Sequence, residues 1–308
     1  MTTSIIIWII QLLLVPALSP LLVGITRKIK AKLQNRQGAS CFQPYRDLWK
    51  LFHKNEVMSE DASVIFRFAP YVVFAVTLAI AAGIPLLSSI PIFTGDFLTL
   101  IYMLALGTFF LALSGIDTGG AFSGFGSSRE MLVASLTEAG LVLSLFALAL
   151  AAKSTNMGDM ATTVSGLSSI AYLPIALAFI SFFISLLAES ARYPFDNPST
   201  HLELTMIHEA MILEYSGKRL AMMEWASANK YLIFAFLGAN LFFPWGLAGT
   251  LAPFAIIGSI ILSFIKASIL AVIVAVIEGS FAKWRLFRLP KLLAGSFILS
   301  LIAILLII

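Results

Sequence analysis

The chain has 308 residues, 59% of them hydrophobic and 12% charged, with a formal net charge of +4. So little charge excludes an ordinary soluble domain, in which about a quarter of residues are charged. Helices are the natural alternative, because backbone groups in lipid must be satisfied internally and a bilayer core about 30 Å thick takes about 20 apolar residues per helix.

Eight stretches meet that requirement, roughly 4–25, 64–88, 97–114, 130–152, 166–188, 230–248, 250–280 and 291–308. Runs such as Leu301–Ile308 do not alternate as barrel strands do. The expected fold is an all-α integral membrane protein of about eight transmembrane helices. It forms a single membrane domain over 1–308, with two long cytoplasmic loops. The cytoplasmic segments are approximately 26–63, 115–129, 189–229 and 281–290.

No basic residue precedes the first stretch, and Arg27, Lys28, Lys30 and Lys32 follow it. It reads as a retained helix with its N-terminus outside. Eighteen of the 20 Lys and Arg residues fall on the side of the loops named above. Lys153 is alone on the opposite side, and Lys266 lies within the seventh stretch. The positive-inside rule then places both termini outside. The net positive charge calls for no nucleic-acid partner.

In the first loop, Tyr45–Lys54 spaces Leu48, Leu51 and Phe52 as a helix would, with Trp49 beside them. An amphipathic helix at the membrane surface and a helix packed under a partner subunit both fit. Cys41 is the single cysteine, and His53, His201 and His208 are scattered. No CxxC array and no glycine-rich nucleotide fingerprint is present. The chain is expected to bind no metal or redox cofactor of its own.

Asp117 follows the third stretch, and Glu138 lies nine residues past Arg129, about 13 Å deep by helical rise. Glu189 ends the fifth stretch on the cytoplasmic side. The 189–229 loop adds Asp196, Glu203, Glu209, Glu214 and Glu224 among Leu, Met, Ile and Tyr residues, as a folded loop would. Lys266 lies 13 residues beyond Pro253, near the midplane, and Glu278 lies three turns later. Intramembrane charges cost about 2.5–3.5 kcal/mol on insertion scales and usually mark ion paths. Two readings stay open for Glu138 and Lys266: an ion pair that locks two helices, and a protonatable pair in a relay.

Several motifs add a resemblance along nearly the whole chain. Gln34–Gly38 (QNRQG), Tyr193–Pro198 (YPFDNP), Glu203 and Glu214–Gly217 (EYSG) follow one another in that order. Together they resemble the complex I membrane subunit at the junction with the peripheral arm. Pro44–Lys54 and Ser114–Glu130 look like the corresponding subunit of group 4 membrane-bound [NiFe] hydrogenases, formate hydrogenlyase included.

The resemblance implies a non-catalytic anchor and coupling subunit. Such a subunit docks a cytoplasmic redox module and links its electron transfer to proton or sodium movement. Its partners would be hydrogenase large and small subunits, which carry the NiFe and iron–sulfur centres, and antiporter-like membrane subunits. The location would be the cell's cytoplasmic (inner) membrane. Glu138 would match the buried glutamate of the proton channel, and Asp196, Glu203 and Glu214 its acidic funnel. Glu189, Glu209, Lys266, Glu278, Asp117 and His201 would join the path, and Gln34, Arg36, Arg46, Asp47 and Tyr215 the docking face.

The chain departs from the family pattern in having Ser199 and His201 where a Glu-x-Glu is usual, and Gly38-Ala39 for Gly-Pro. His201 or Glu209 could take the missing carboxylates' place. The quinone-site subunit of an NADH dehydrogenase, a self-contained secondary transporter and a purely structural anchor remain as rival readings. A transporter would show inverted repeats, and none is visible.

Overall fold

A computed structural model describes residues 2–59, 62–87, 90, 94–168, 170–197, 206–250 and 252–308, with the side chains of 2–7 outside the description. Eleven α-helices occur among the described residues. They are α1 (Thr2–Leu33), α2 (Gln43–Phe52), α3 (Val64–Gly83), α4 (Phe97–Asp117), α5 (Ala121–Ala152), α6 (Met157–Ser165), α7 (Tyr172–Glu189), α8 (His208–Ile212), α9 (Gly217–Leu241), α10 (Pro253–Ser280) and α11 (Leu289–Ile307). The only strand-type pairing among the described residues is one isolated bridge, Asp96 with Asn156. The protein is an all-α integral membrane protein.

Seven helices, α1, α3, α4, α5, α7, α10 and α11, are long and apolar enough to span a bilayer. The stretch expected at 230–248 falls on α9, which differs in kind. α9 starts 13 residues earlier, at Gly217, and carries Lys218, Arg219, Glu224 and Lys230 in its first half. Its second half, Tyr231–Leu241, is buried throughout. α9 packs against α1, α3, α7 and α10, so protein rather than lipid surrounds it. α5 also begins earlier than expected, at Ala121. Its 32 residues make a helix about 48 Å long, well beyond the hydrocarbon thickness.

Proline frees helix carbonyls, and side chains take them up. Pro20 inside α1 cannot bond the Pro16 carbonyl, which accepts instead from the Trp225 indole N–H at 2.9 Å. Pro70 inside α3 frees the Phe66 carbonyl, which accepts from the Tyr215 hydroxyl at 2.9 Å. Buried Gln11 donates to the carbonyls of Ala81 (3.0 Å), Ala82 (3.2 Å) and Ile84 (2.5 Å), closing the C-terminal end of α3. Where α5, α7 and α11 meet, small residues bring the backbones together: the Ser181 hydroxyl donates to the Ser296 carbonyl at 2.7 Å. A Cβ on Gly140 would lie 2.7 Å from the Ser296 Oγ.

α2 confirms the expected helix in the first loop. It buries Pro44 and Leu48 and leaves Trp49 69% exposed.

Candidate functional site

The described parts of the second loop, 189–197 and 206–229, pack on the bundle and roof a cavity of about 400 Å³. Arg27 of α1, Asp47 of α2, Arg192 and Asp196 of the loop, His208 and Glu209 of α8, and Glu224 of α9 line it. A second, mostly apolar space of about 40 Å³ lies between α3, α4 and α9. His208 lines both spaces, and Lys230 lines the second.

Asp196 organises the roof. Its carboxylate accepts from the backbone N–H groups of Asn197 (2.8 Å), Ile207 (3.3 Å) and His208 (3.0 Å) and pairs with the Lys283 ammonium at 2.5 Å. It thereby fastens both ends of a loop whose middle, residues 198–205, lies outside the described residues. Glu203 and His201 fall in that part. Burial, helped by the nearby Lys230 charge and opposed by Asp196, lowers the His208 pKa to about 4. The imidazole is therefore neutral at physiological pH.

Glu189, at the end of α7, pairs with Lys230 of α9 at 2.6 Å, and the two side chains are only 6% and 19% exposed. Lys230 also acts electrostatically on Glu130 and Glu138, both of α5. Glu130 in turn feels Lys230, Glu189 and Asp196. A row of charged and titratable groups thus leads from the cavity wall (Asp196, His208) to Lys230 and Glu189, and on to Glu130 and Glu138. Glu138 lies eight residues along α5 from Glu130, or about 12 Å farther by helical rise.

The expected Glu138–Lys266 pair is not formed. α10 packs on α1 and α9, whereas α5 packs on α4, α7 and α11. The Lys266 ammonium donates to the carbonyls of Phe243 (2.9 Å) and Trp245 (3.3 Å), just beyond the C-terminal end of α9. There it meets the negative end of the α9 dipole. The charges acting on Glu138 are Glu189 and Lys230.

Other expected residues are also placed. Glu278 is held twice, by Lys30 of α1 at 3.2 Å and by Arg192 at 3.1 Å. Burial works against the Arg192 charge, but Glu278 and Tyr231 together outweigh it and raise the Arg192 pKa. Asp117 accepts from the Ser63 N–H (3.0 Å), the Ser63 hydroxyl (2.6 Å) and the Phe66 N–H (3.2 Å), so it caps α3. Glu209 lines the cavity, whereas Glu214 is exposed at the turn between α8 and α9.

Of the residues expected at a docking face, Gln34, Arg36 and Arg46 are exposed. Asp47 faces the cavity instead. Tyr215 is corrected to a core position. It is buried, its ring stacks on Phe66 with centroids 3.9 Å apart, and its hydroxyl is committed to the carbonyl freed by Pro70. His208, Glu130 and Lys230 are the members of the row that the sequence does not assign to the path.

The chain is 36% identical over 278 residues to hydrogenase-4 component C of Escherichia coli K12, covering 89% of this chain and 87% of the relative. It is 34% identical over 292 residues to formate hydrogenlyase subunit 4 of the same organism, covering 94% of each. It is 28% identical to an NADH-quinone oxidoreductase subunit of Pelagibacter ubique, over 92% of this chain and 87% of the relative. Its fold matches a chain in the structure of the membrane-bound sulfane sulfur reductase, an archaeal respiratory membrane complex. The TM-score there is 0.84 at 20% identity, over 100% of this chain and 99% of the other. The profile of the NADH dehydrogenase (NADHdh) family matches residues 4–308, and the chain belongs to that family.

Proposed function

We propose that this chain is the membrane-anchor and ion-coupling subunit of a group 4 membrane-bound hydrogenase of the formate hydrogenlyase type. It docks a cytoplasmic module of large and small hydrogenase subunits, which hold the NiFe and iron–sulfur centres. Antiporter-like membrane subunits lie beside it, and the chain itself binds no redox cofactor. The observation that carries this reading is the row from Asp196 and His208 through Lys230 and Glu189 to Glu138. It joins a charged cytoplasmic cavity to the interior of the bundle. Charged groups kept inside a membrane protein are costly and typically serve ion transfer. The names of the relatives add support.

A quinone-site subunit is the second reading. Quinone-sized ligands favour mainly apolar pockets with a few polar groups, whereas six charged side chains, Arg27, Asp47, Arg192, Asp196, Glu209 and Glu224, line this cavity. That favours the hydrogenase type.

Both termini face outward in this reading, because the basic loops face the cytoplasm and α9 crosses as an eighth span surrounded by protein, alongside the seven apolar helices. In a Cys41→Ser background, Lys153→Cys should react with an impermeant thiol reagent in intact cells, and Lys54→Cys only after lysis. The opposite pattern would invert the topology.

Cells lacking the chain should release their hydrogenase activity from membranes into the soluble fraction. A fully membrane-attached enzyme in such cells would contradict the anchor role.

A further inference from the structure

Lys266 lies 13 residues from Pro253 and 12 from Glu278. The outer end of α10 and the Glu278 cluster at the cavity are therefore each about 18–20 Å away by helical rise. The ammonium has three N–H donors, and the carbonyls of Phe243 and Trp245 take two of them. Carbonyls carry partial charge only, and none of the ion pairs among the described residues includes Lys266. A full charge near the middle of a bilayer calls for an opposite charge. α10 packs on α1 and α9. Its uncovered side carries Leu262, Ile265, Ile269, Val272 and Val276, all exposed. They follow in alternating steps of three and four, the spacing of a helix–helix seam. One turn before Leu262, Gly258 is exposed, and a Cβ there would meet nothing within 4 Å, so a neighbouring backbone can come close. Half-buried Lys266 stands four residues past Leu262 and three before Ile269, and so flanks the seam. Lipid tails would cover the apolar seam but offer Lys266 no anion, because lipid phosphates lie at the bilayer surface.

We propose that this side of α10 docks a transmembrane helix of a neighbouring membrane subunit, and that this helix carries a carboxylate at mid-membrane depth that pairs with Lys266. The carboxylate takes the third N–H of the ammonium and supplies the missing negative charge. The apolar seam sets the two helices side by side, and the ion pair fixes their register, as a single polar group does in a coiled coil. Identifying the neighbour as one of the antiporter-like subunits rests on the reading given above; the docking face itself does not.

The test uses the full complex in native membranes, with photo-reactive benzoylphenylalanine replacing Ile269. Illumination should join the chain to a membrane-spanning subunit, and mass spectrometry of the product should locate a helix that holds an Asp or Glu. A product with lipid alone or with a cytoplasmic subunit, or a joined helix without a carboxylate, overturns the proposal. Retention in mild detergent gives the second readout. Lys266→Met strands the partner's carboxylate and should keep at most about a tenth of that subunit per copy of this chain. Lys266→Arg keeps the charge and should retain it. Gly258→Trp leaves the chain's own packing intact, because the site is open, but blocks the seam and should lower retention by a similar factor. Full retention in Lys266→Met, or in Gly258→Trp, overturns the proposal. The two levels separate cleanly. A hydrogenase complex that purifies while the probe marks lipid alone leaves the coupling role standing and removes the docking face. A carboxylate-bearing neighbour found in a complex without hydrogenase subunits does the reverse.

Discussion

A Glu138→Gln complex should assemble, stay membrane-bound and melt close to the wild type, yet lose most of its ion movement. Glutamine keeps the side chain's shape and removes its titration. The neighbouring Lys230 is not stranded, because Glu189 holds it at 2.6 Å. The stability change should therefore stay below about 1 kcal/mol, as for a site that breaks no buried pair. Lys266 gives the contrast. Its ammonium serves the carbonyls of Phe243 and Trp245, so Glu138 and Lys266 share no partner. The stability changes of Glu138→Gln and Lys266→Met should add within about 0.5 kcal/mol in the double variant. A double variant more stable than Glu138→Gln alone would restore the ion-pair reading. Thermal unfolding of the four forms in one detergent measures this.

Glu278→Gln should have the largest effect on stability. The Glu278 side chain is 2% exposed and neutralises both Lys30 and Arg192. Arg192 lies over the Tyr231 ring at 4.4 Å, and Lys30 over the Tyr193 ring at 4.9 Å. These contacts tie α1, the 190s loop and α10 together at the cavity. Removing the carboxylate leaves the buried guanidinium uncompensated, which costs about 3–5 kcal/mol in comparable cases. Arg192→Met alone leaves Glu278 its Lys30 partner and should cost less. A thermal midpoint for Glu278→Gln equal to the wild type would show that the cluster contributes no stability.

The membrane class, the helix order and the acidic character of the second loop are legible in the sequence because they rest on hydropathy and charge placement, which are local. Partner choice is not legible. Glu138 and Lys266 both sit near mid-span by residue count, and counting carries no information on which helices are neighbours. α10 packs on α1 and α9 whereas α5 packs on α4, α7 and α11, so Lys266 finds its partners just beyond the end of α9 and not in Glu138. Glu130 and Lys230 escape notice for a related reason. Helices that start at 130 and 230, as hydropathy suggests, make both residues terminal loop charges. In fact α5 and α9 start at Ala121 and Gly217 and carry these charges inside the bundle. Tyr215 stands in a motif that suggests docking. The signal for its actual role is Pro70, whose missing N–H requires another donor for the Phe66 carbonyl. Asp117 likewise follows from the bare N-terminal amides of α3 once α3 and α4 are known to pack together.

The most direct measurement of the central claim is the number of cations moved per electron in vesicles holding the complete complex, wild type against Glu138→Gln. The account predicts an assembled variant that still transfers electrons and moves at most about a tenth as many cations for each one. An assembled Glu138→Gln complex with the wild-type ratio would contradict it.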